Sequence, residues 1–164
     1  MQAGAKYRII APLQIIQVYR QVKVVPASSD KSVEKLKVPP HSIEAEQAVL
    51  GSMLIDPESW DKVSELVTDA EFYNRSHQIV FKAILDLLAQ SQPVDLITVS
   101  ELLENNDQLE DAGGFAYLGE LARNTPSSAN VTAYAKIIRE RAITRELIGV
   151  ANEIAEVGYN PEGR

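Results

Sequence analysis

Residues 42–56, SIEAEQAVLGSMLID, decide the fold class. Ser42 is a side-chain N-cap, and Glu44 and Glu46 follow in the first turn, where a helix dipole favours negative charge. Ile43, Leu50 and Leu54 then lie close to one helical face, which Val49 and Met53 widen. Pro39-Pro40 just upstream hold the entry extended. Asp56-Pro57 starts a second helix, with Asp as cap and Pro at the first helical position. Its inward face is Trp60, Val63 and Val67.

Working outward, the same 3.6-residue period recurs to the end of the chain. A third helix is expected over about 76–90, with Val80, Ile84, Leu87 and Leu88 as its apolar stripe. Asp95 or Thr98 caps a fourth, and Thr98 with Glu101 has capping-box spacing. Gly113-Gly114 permits a tight turn into a short fifth helix carrying Phe115, Leu118 and Leu121. Asn124-Thr125-Pro126 stops that helix. The last helix runs from about Asn130 to Val157, with Gly158 as its stop. Val131, Tyr134, Ile138 and Ala142 share a face, and Leu147, Ala151 and Ile154 continue a stripe that drifts around the axis. At 1.5 Å per residue this helix is about 42 Å long, more than a core of this size needs. Its distal half is expected to project and pack on something else. The fold class is all-α: a small helical bundle followed by one long helix.

Upstream, residues 1–37 read differently. They hold seven Lys/Arg against two Asp/Glu, whereas residues 38–164 hold nine against twenty-one. The first segment is a variable basic arm and polar linker, 38–129 a globular bundle, and 130–164 the long-helix region. The bundle is acidic, whereas a nucleic-acid reader presents a basic stripe. Protein partners are the better expectation, with no strong direct DNA binding. Hydrophobic residues make up 45% of the 164, enough for a real core. No apolar run approaches the roughly 18–20 residues that span a bilayer. The chain has no Cys, which removes disulfides and thiolate metal sites and fits a cytoplasmic protein.

The motifs of catalysis are missing. There is no G-x-x-x-x-G-K-[ST] and no G-x-G-x-x-G; Gly113-Gly114 is a turn. His41 and His77 lack metal-ligand spacing, and His77 is expected to pack or hydrogen-bond at a helix start. Glu44, Glu46, Glu101, Glu104, Asp107, Glu110 and Asp111 read as solvated faces rather than as an acid–base pair. On the last helix, Arg141 and Arg145 are like charges four residues apart, an unfavourable spacing that calls for a partner.

The segments KVPPHSIEAEQAVLGSMLID, AEFYNRSHQIVFKAI, PVDLITVSELLENNDQL, GGFAYLGELARNTPSSANVTAYAKIIRERA and VANEIAEVGYNPEGR resemble, in order, the opening of the DnaB-type replicative helicases. The resemblance covers about Leu36 to Arg164. It implies a helical N-terminal domain whose long helix is the first arm of a helical hairpin. It also implies a parent that is a hexameric, ATP-driven, 5′–3′ helicase of the bacterial primosome. Hairpins of neighbouring subunits would pair into a collar that recruits the C-terminal helicase-binding domain of primase, and a helicase loader is a further expected partner. The chain is expected to stop at the hairpin tip, short of the second arm, the linker and the motor domain. ATP and Mg would therefore work in that absent motor, and no catalytic, cofactor or metal residue is assigned here. The family's partner-facing surface maps onto Tyr117, Arg145, Ile148 and Ile154, as primase contacts or as packing against the second arm.

Two other readings compete. A free-standing helicase fragment would regulate or cap the parent ring through the same face. An unrelated helical dimerisation or DNA-binding domain fits the helices but not the acidic balance.

Overall fold

The computed structural model describes residues 38–159 apart from Pro126. The expectations for residues 1–37 and for Asn160-Pro161 lie outside the described residues. The elements are α1 (Ile43–Ile55), α2 (Ser59–Val63), a 3-10 turn (Asp69–Glu71), α3 (Arg75–Ala89), α4 (Leu96–Asn105), α5 (Gly114–Asn124) and α6 (Val131–Tyr159). Among the described residues there is no strand, so the all-α expectation holds.

The first helix is the hub. The Ser42 hydroxyl accepts from the Ala45 amide at 3.3 Å. From there α1 packs against α2, α3, α5 and α6. A helix with neighbours on several sides needs more than one apolar stripe, and Ala45, Val49, Leu50, Met53 and Leu54 are all buried. Gly51 lets α5 come close: a Cβ there would overlap the Leu121 carbonyl and the Thr125 side chain. Thr125 ends α5 by donating its hydroxyl to that same carbonyl at 2.9 Å.

Around the hub, α3 buries Val80, Phe81, Ala83, Ile84 and Leu87, and Phe72 and Trp60 pack against Phe81. Asn74, one residue before α3, caps it by accepting from the Ser76 amide at 3.0 Å. The Asp95 carboxylate accepts from the Ile97 and Thr98 amides at 2.8 and 2.9 Å, while Thr98 reaches back to the Asp95 amide. The capping box is thus Asp95 with Thr98, not Thr98 with Glu101. Gly113 and Gly114 turn into α5 with φ of 102° and 78°, a left-handed conformation that favours glycine.

Three local expectations need correction. The helix after Asp56-Pro57 starts later, at Ser59, because the Asp56 and Pro57 carbonyls first accept turn bonds from Ser59 and Trp60. The Asp56 carboxylate instead accepts from the Ser128 hydroxyl at 2.7 Å and pins the α5–α6 turn to the end of α1. That bond is the main cause of a carboxyl held below the ordinary aspartate range. Phe115 is exposed rather than packed, because the α5 core face is Leu118 and Leu121. Gly158 does not stop the last helix, which runs through it to Tyr159. One glycine costs a helix only about 1 kcal/mol relative to alanine.

The long helix divides in two. Val131, Ala135 and Ile138 are buried against the bundle, and no described residue beyond Ile138 is buried. At 1.5 Å per residue α6 extends about 44 Å, so its distal part stands clear of the core.

Gly51→Ala is expected to destabilise the fold by about 3 kcal/mol, since α1 and α5 must separate to admit one methyl. Urea unfolding checks this. Asp95→Ala should cost about 1 kcal/mol at neutral pH through loss of the cap. Backbone bonding from Thr98 holds the Asp95 carboxyl below its ordinary 3.8. A depressed carboxyl stabilises above that value and loses its contribution as pH falls through the lower folded value. The gap between wild type and Asp95→Ala should therefore close on acidification, as parallel melts across pH 2–6 would show.

Candidate functional site

The α1 and α3 patterns each contain one polar residue at an apolar position. Glu46 precedes Val49, Leu50 and Met53 by three, four and seven residues, and His77 precedes Val80, Phe81 and Ile84 by the same steps. That spacing puts both side chains on core-facing stripes. The structure brings them together: Glu46 is 1% exposed, His77 is 0% exposed, and His77 Nδ1 lies 2.6 Å from Glu46 Oε2. The reading of Glu46 as a solvated carboxylate is overturned. The expectation that His77 would pack and hydrogen-bond at a helix start holds.

Burying a carboxylate is costly unless its lone pairs are satisfied. Glu46 meets that condition. Besides His77, it accepts from the Tyr73 amide at 2.7 Å and the Asn74 amide at 3.2 Å. On the other side, His77 Nε2 lies 2.6 Å from the Tyr117 hydroxyl, and the two ring planes are within 3° of parallel. Gln47 Nε2 donates to the same hydroxyl at 3.1 Å. With His77 as its Nδ1–H tautomer, the bonds run in one direction: Gln47 to Tyr117, Tyr117 to His77, His77 to Glu46. Such an order resembles a nucleophile–base–orienter relay. Here, however, His77 and Glu46 are sealed from solvent, and the network reaches the surface at Tyr117 and Gln47. The arrangement positions Tyr117.

Tyr117 reaches that surface in a polar pocket of about 260 Å³ lined by Gln47, Glu120, Asn124, Ser127 and Tyr134 among others. Tyr117, singled out from the sequence, is therefore both half-buried and pocket-lining.

The other three sequence-derived residues lie on α6 and do not share one surface. Ile143, Leu147, Val150, Ile154 and Val157 are all exposed and follow one another at steps of four, three, four and three. This is the seam pattern of two helices packed with a heptad repeat. Leu147 is 66%, Ile154 68% and Val157 71% exposed. At about 100° per residue, Ile148 lies roughly 140° around the helix from that seam. Ile154 is a seam residue; Ile148 is exposed on another face. Arg145 is half-buried and points back at its own bundle. Its Nη1 donates to the Pro40 carbonyl at 2.8 Å and its Nη2 to the Glu71 carbonyl at 2.6 Å. The guanidinium sits 5.6 Å from the centre of the Tyr73 ring. The partner called for by the Arg141–Arg145 repulsion thus lies within the chain. No group of three or more His, Cys, Asp or Glu able to hold a metal occurs among the described residues.

Removing one member of the buried pair leaves the other uncompensated. Glu46→Ala is expected to cost about 3–5 kcal/mol, and Tyr117→Phe about 1–2 kcal/mol for one lost buried hydroxyl. Equilibrium denaturation of both variants checks the ranking. Equal costs would show that the pair and the hydroxyl do not differ in importance as described.

Known proteins share this arrangement of helices. The model of the DnaB-like helicase N-terminal domain matches residues 38–140. The replicative DNA helicase DnaB of Buchnera aphidicola subsp. Baizongia pistaciae is 48% identical over 135 residues, covering 82% of this chain and 29% of that protein. The crystal structure of the N-terminal domain of DnaB helicase from Mycobacterium tuberculosis superposes with a TM-score of 0.74 at 37% identity, covering 77% of this chain and 89% of that one. A DnaB-like replicative helicase, described with its interactions with primase, superposes with a TM-score of 0.63 at 30% identity, covering 74% of this chain and 28% of that one. The chain spans under a third of the length of the curated relatives it matches. On this evidence the chain belongs to the family of DnaB-like helicase N-terminal domains.

Proposed function

We propose that this chain is the assembly and primase-docking domain of a hexameric, ATP-dependent, 5′–3′ replicative helicase of the bacterial primosome. The observation that carries the reading is the exposed 4-3-4-3 apolar seam from Ile143 to Val157 on a helix that stands clear of its bundle. A stripe of this kind is costly to leave in water and is stabilised by a second helix laid along it. In this reading, residues 38–129 form the bundle and 130–164 the first arm of a hairpin. The second arm covers the seam, and paired hairpins of neighbouring subunits build the collar. Residues 1–37 are a separate basic arm.

Primase is the proposed partner of the remaining surface, through its C-terminal helicase-binding domain. A solved relative is described with its interactions with primase. Tyr117 in its pocket and Ile148, exposed off the seam, are the anchors of choice, because aromatic and large apolar side chains carry most interface energy. Ile154 serves hairpin packing. Arg145 frames the surface, since part of it remains exposed at the junction of α6 and the bundle. A helicase loader is a second partner of the same collar. ATP and Mg²⁺ are assigned to the motor domain of such helicases and to no residue of this chain. The acidic bundle disfavours strong direct DNA binding, and no described helix is long and apolar enough to cross a membrane.

Titration of the parent helicase with the C-terminal domain of primase tests the assignment. Ile148→Asp and Tyr117→Ala should each weaken binding about thirtyfold or more, the loss expected for an interface anchor. Unchanged affinity in both folded variants would falsify the primase-contact assignment.

A further inference from the structure

The direction in which α6 leaves the bundle is set by few contacts. From Ile138 onward, the side-chain hydrogen bonds from α6 to the bundle among the described residues come from Arg139 and Arg145. Arg139 is half-exposed and uses one nitrogen, Nη1, for both the Leu66 carbonyl at 3.0 Å and the Glu71 carboxylate at 3.3 Å, and exposed pairs of this kind hold little. Arg145 is different. Its planar fork joins carbonyls from two separate segments, Pro40 at the entry and Glu71 in the 3-10 turn, and it is the last tether before the free part of the helix.

The groups that receive Arg145 are themselves placed by the buried network. Tyr73, whose ring faces the guanidinium, is held by its amide on Glu46 Oε1. The neighbouring Asn74 amide is held on Glu46 Oε2. The Tyr73 ring also stacks on His41 at 4.3 Å, and His41 bonds to the Pro39 carbonyl, beside the Pro40 carbonyl that Arg145 uses. Glu46 therefore fixes both the ring and the turn that seat Arg145. His77 joins Glu46 to Tyr117, whose pocket lies on the α1–α5 side of the bundle.

We infer that Arg145 is a clamp that sets the direction of α6, and that Tyr117 loads this clamp through His77, Glu46 and Tyr73. A ligand that shifts the Tyr117 hydroxyl would then swing the distal helix. By the reciprocity of coupled sites, a partner that fixes the helix would alter affinity at the pocket. The coupling runs through the Glu71–Asn74 segment, which seats the arginine at the Glu71 carbonyl and is held by the Glu46 carboxylate at the Tyr73 and Asn74 amides.

The chain has no cysteine, so spin labels can be placed at Asn152→Cys on the distal helix and Glu101→Cys on α4. Pulsed dipolar spectroscopy, with labelled full chain diluted in unlabelled chain, reads the intramolecular distance distribution. The wild-type background is expected to give the narrowest distribution of the set. Arg145→Ala should broaden and shift it. Arg145→Lys should do the same, because an ammonium does not reproduce the fork. Tyr117→Phe should shift it in the same direction, and adding Tyr117→Phe to Arg145→Ala should change nothing further. If Tyr117→Phe destabilises the fold, Gln47→Ala takes its place, since it strips a bond from the same hydroxyl. An unmoved distribution in Arg145→Ala overturns the clamp. An unmoved one in the Tyr117 or Gln47 variant, or strictly additive shifts in the double variant, overturns the coupling.

Discussion

A carboxylate in the centre of a small helical bundle constrains everything around it. Glu46 is fully buried on α1 and must find several donors or forfeit several kcal/mol. It finds them in three places: the His77 ring and the backbone amides of Tyr73 and Asn74. Those donors fix how the chain enters α3 and which face α3 turns to α1. His77 in turn requires a partner for its second nitrogen, which brings α5 into register through Tyr117. One buried charge thus joins three helices, α1, α3 and α5, through a single connected set of bonds.

Close backbone approach completes that specification. Gly51 allows α5 to lie against α1, and the Asp56–Ser128 bond returns the chain to the end of α1 before the long helix begins. With α1 enclosed on several sides, α6 needs only its first two turns to finish the core. Its remaining length is left over and carries the exposed seam from Ile143 to Val157.

Much of this was legible from residue types. Ser42 and Asp95 cap helices because their short acceptors reach orphan amides, and the apolar periods of α3 and α6 place Val80, Ile84, Leu87, Val131 and Ile138 in the core. What escaped had physical causes. Glu46 stands in a first turn, where an acidic residue also suits the helix dipole, so a buried charge and a solvated one look alike until its stripe position is weighed. Asp56-Pro57 resembles a helix start, but its carboxylate is drawn to Ser128, seventy-two residues away, a contact no local pattern contains. Arg145 looked like a residue in search of an external partner because its two carbonyl acceptors come from distant segments. The exposed seam is legible only in part: the drifting stripe contains Leu147 and Ile154, but the full 4-3-4-3 run depends on where the core-facing positions of α6 end, which is set by the bundle.

The bare stretch of α6 also has a thermodynamic consequence. The helix beyond Arg145, residues 146–159, has no tertiary packing, and a helix of that length is only marginally stable in water. The distal segment should therefore melt on its own, below the bundle and without sharp cooperativity. Heating the isolated chain then yields no single transition, and a calorimetric enthalpy should exceed the van't Hoff value. A helix laid along the seam would merge the two events into one, so the sharpness of the melt itself reports whether the seam is covered.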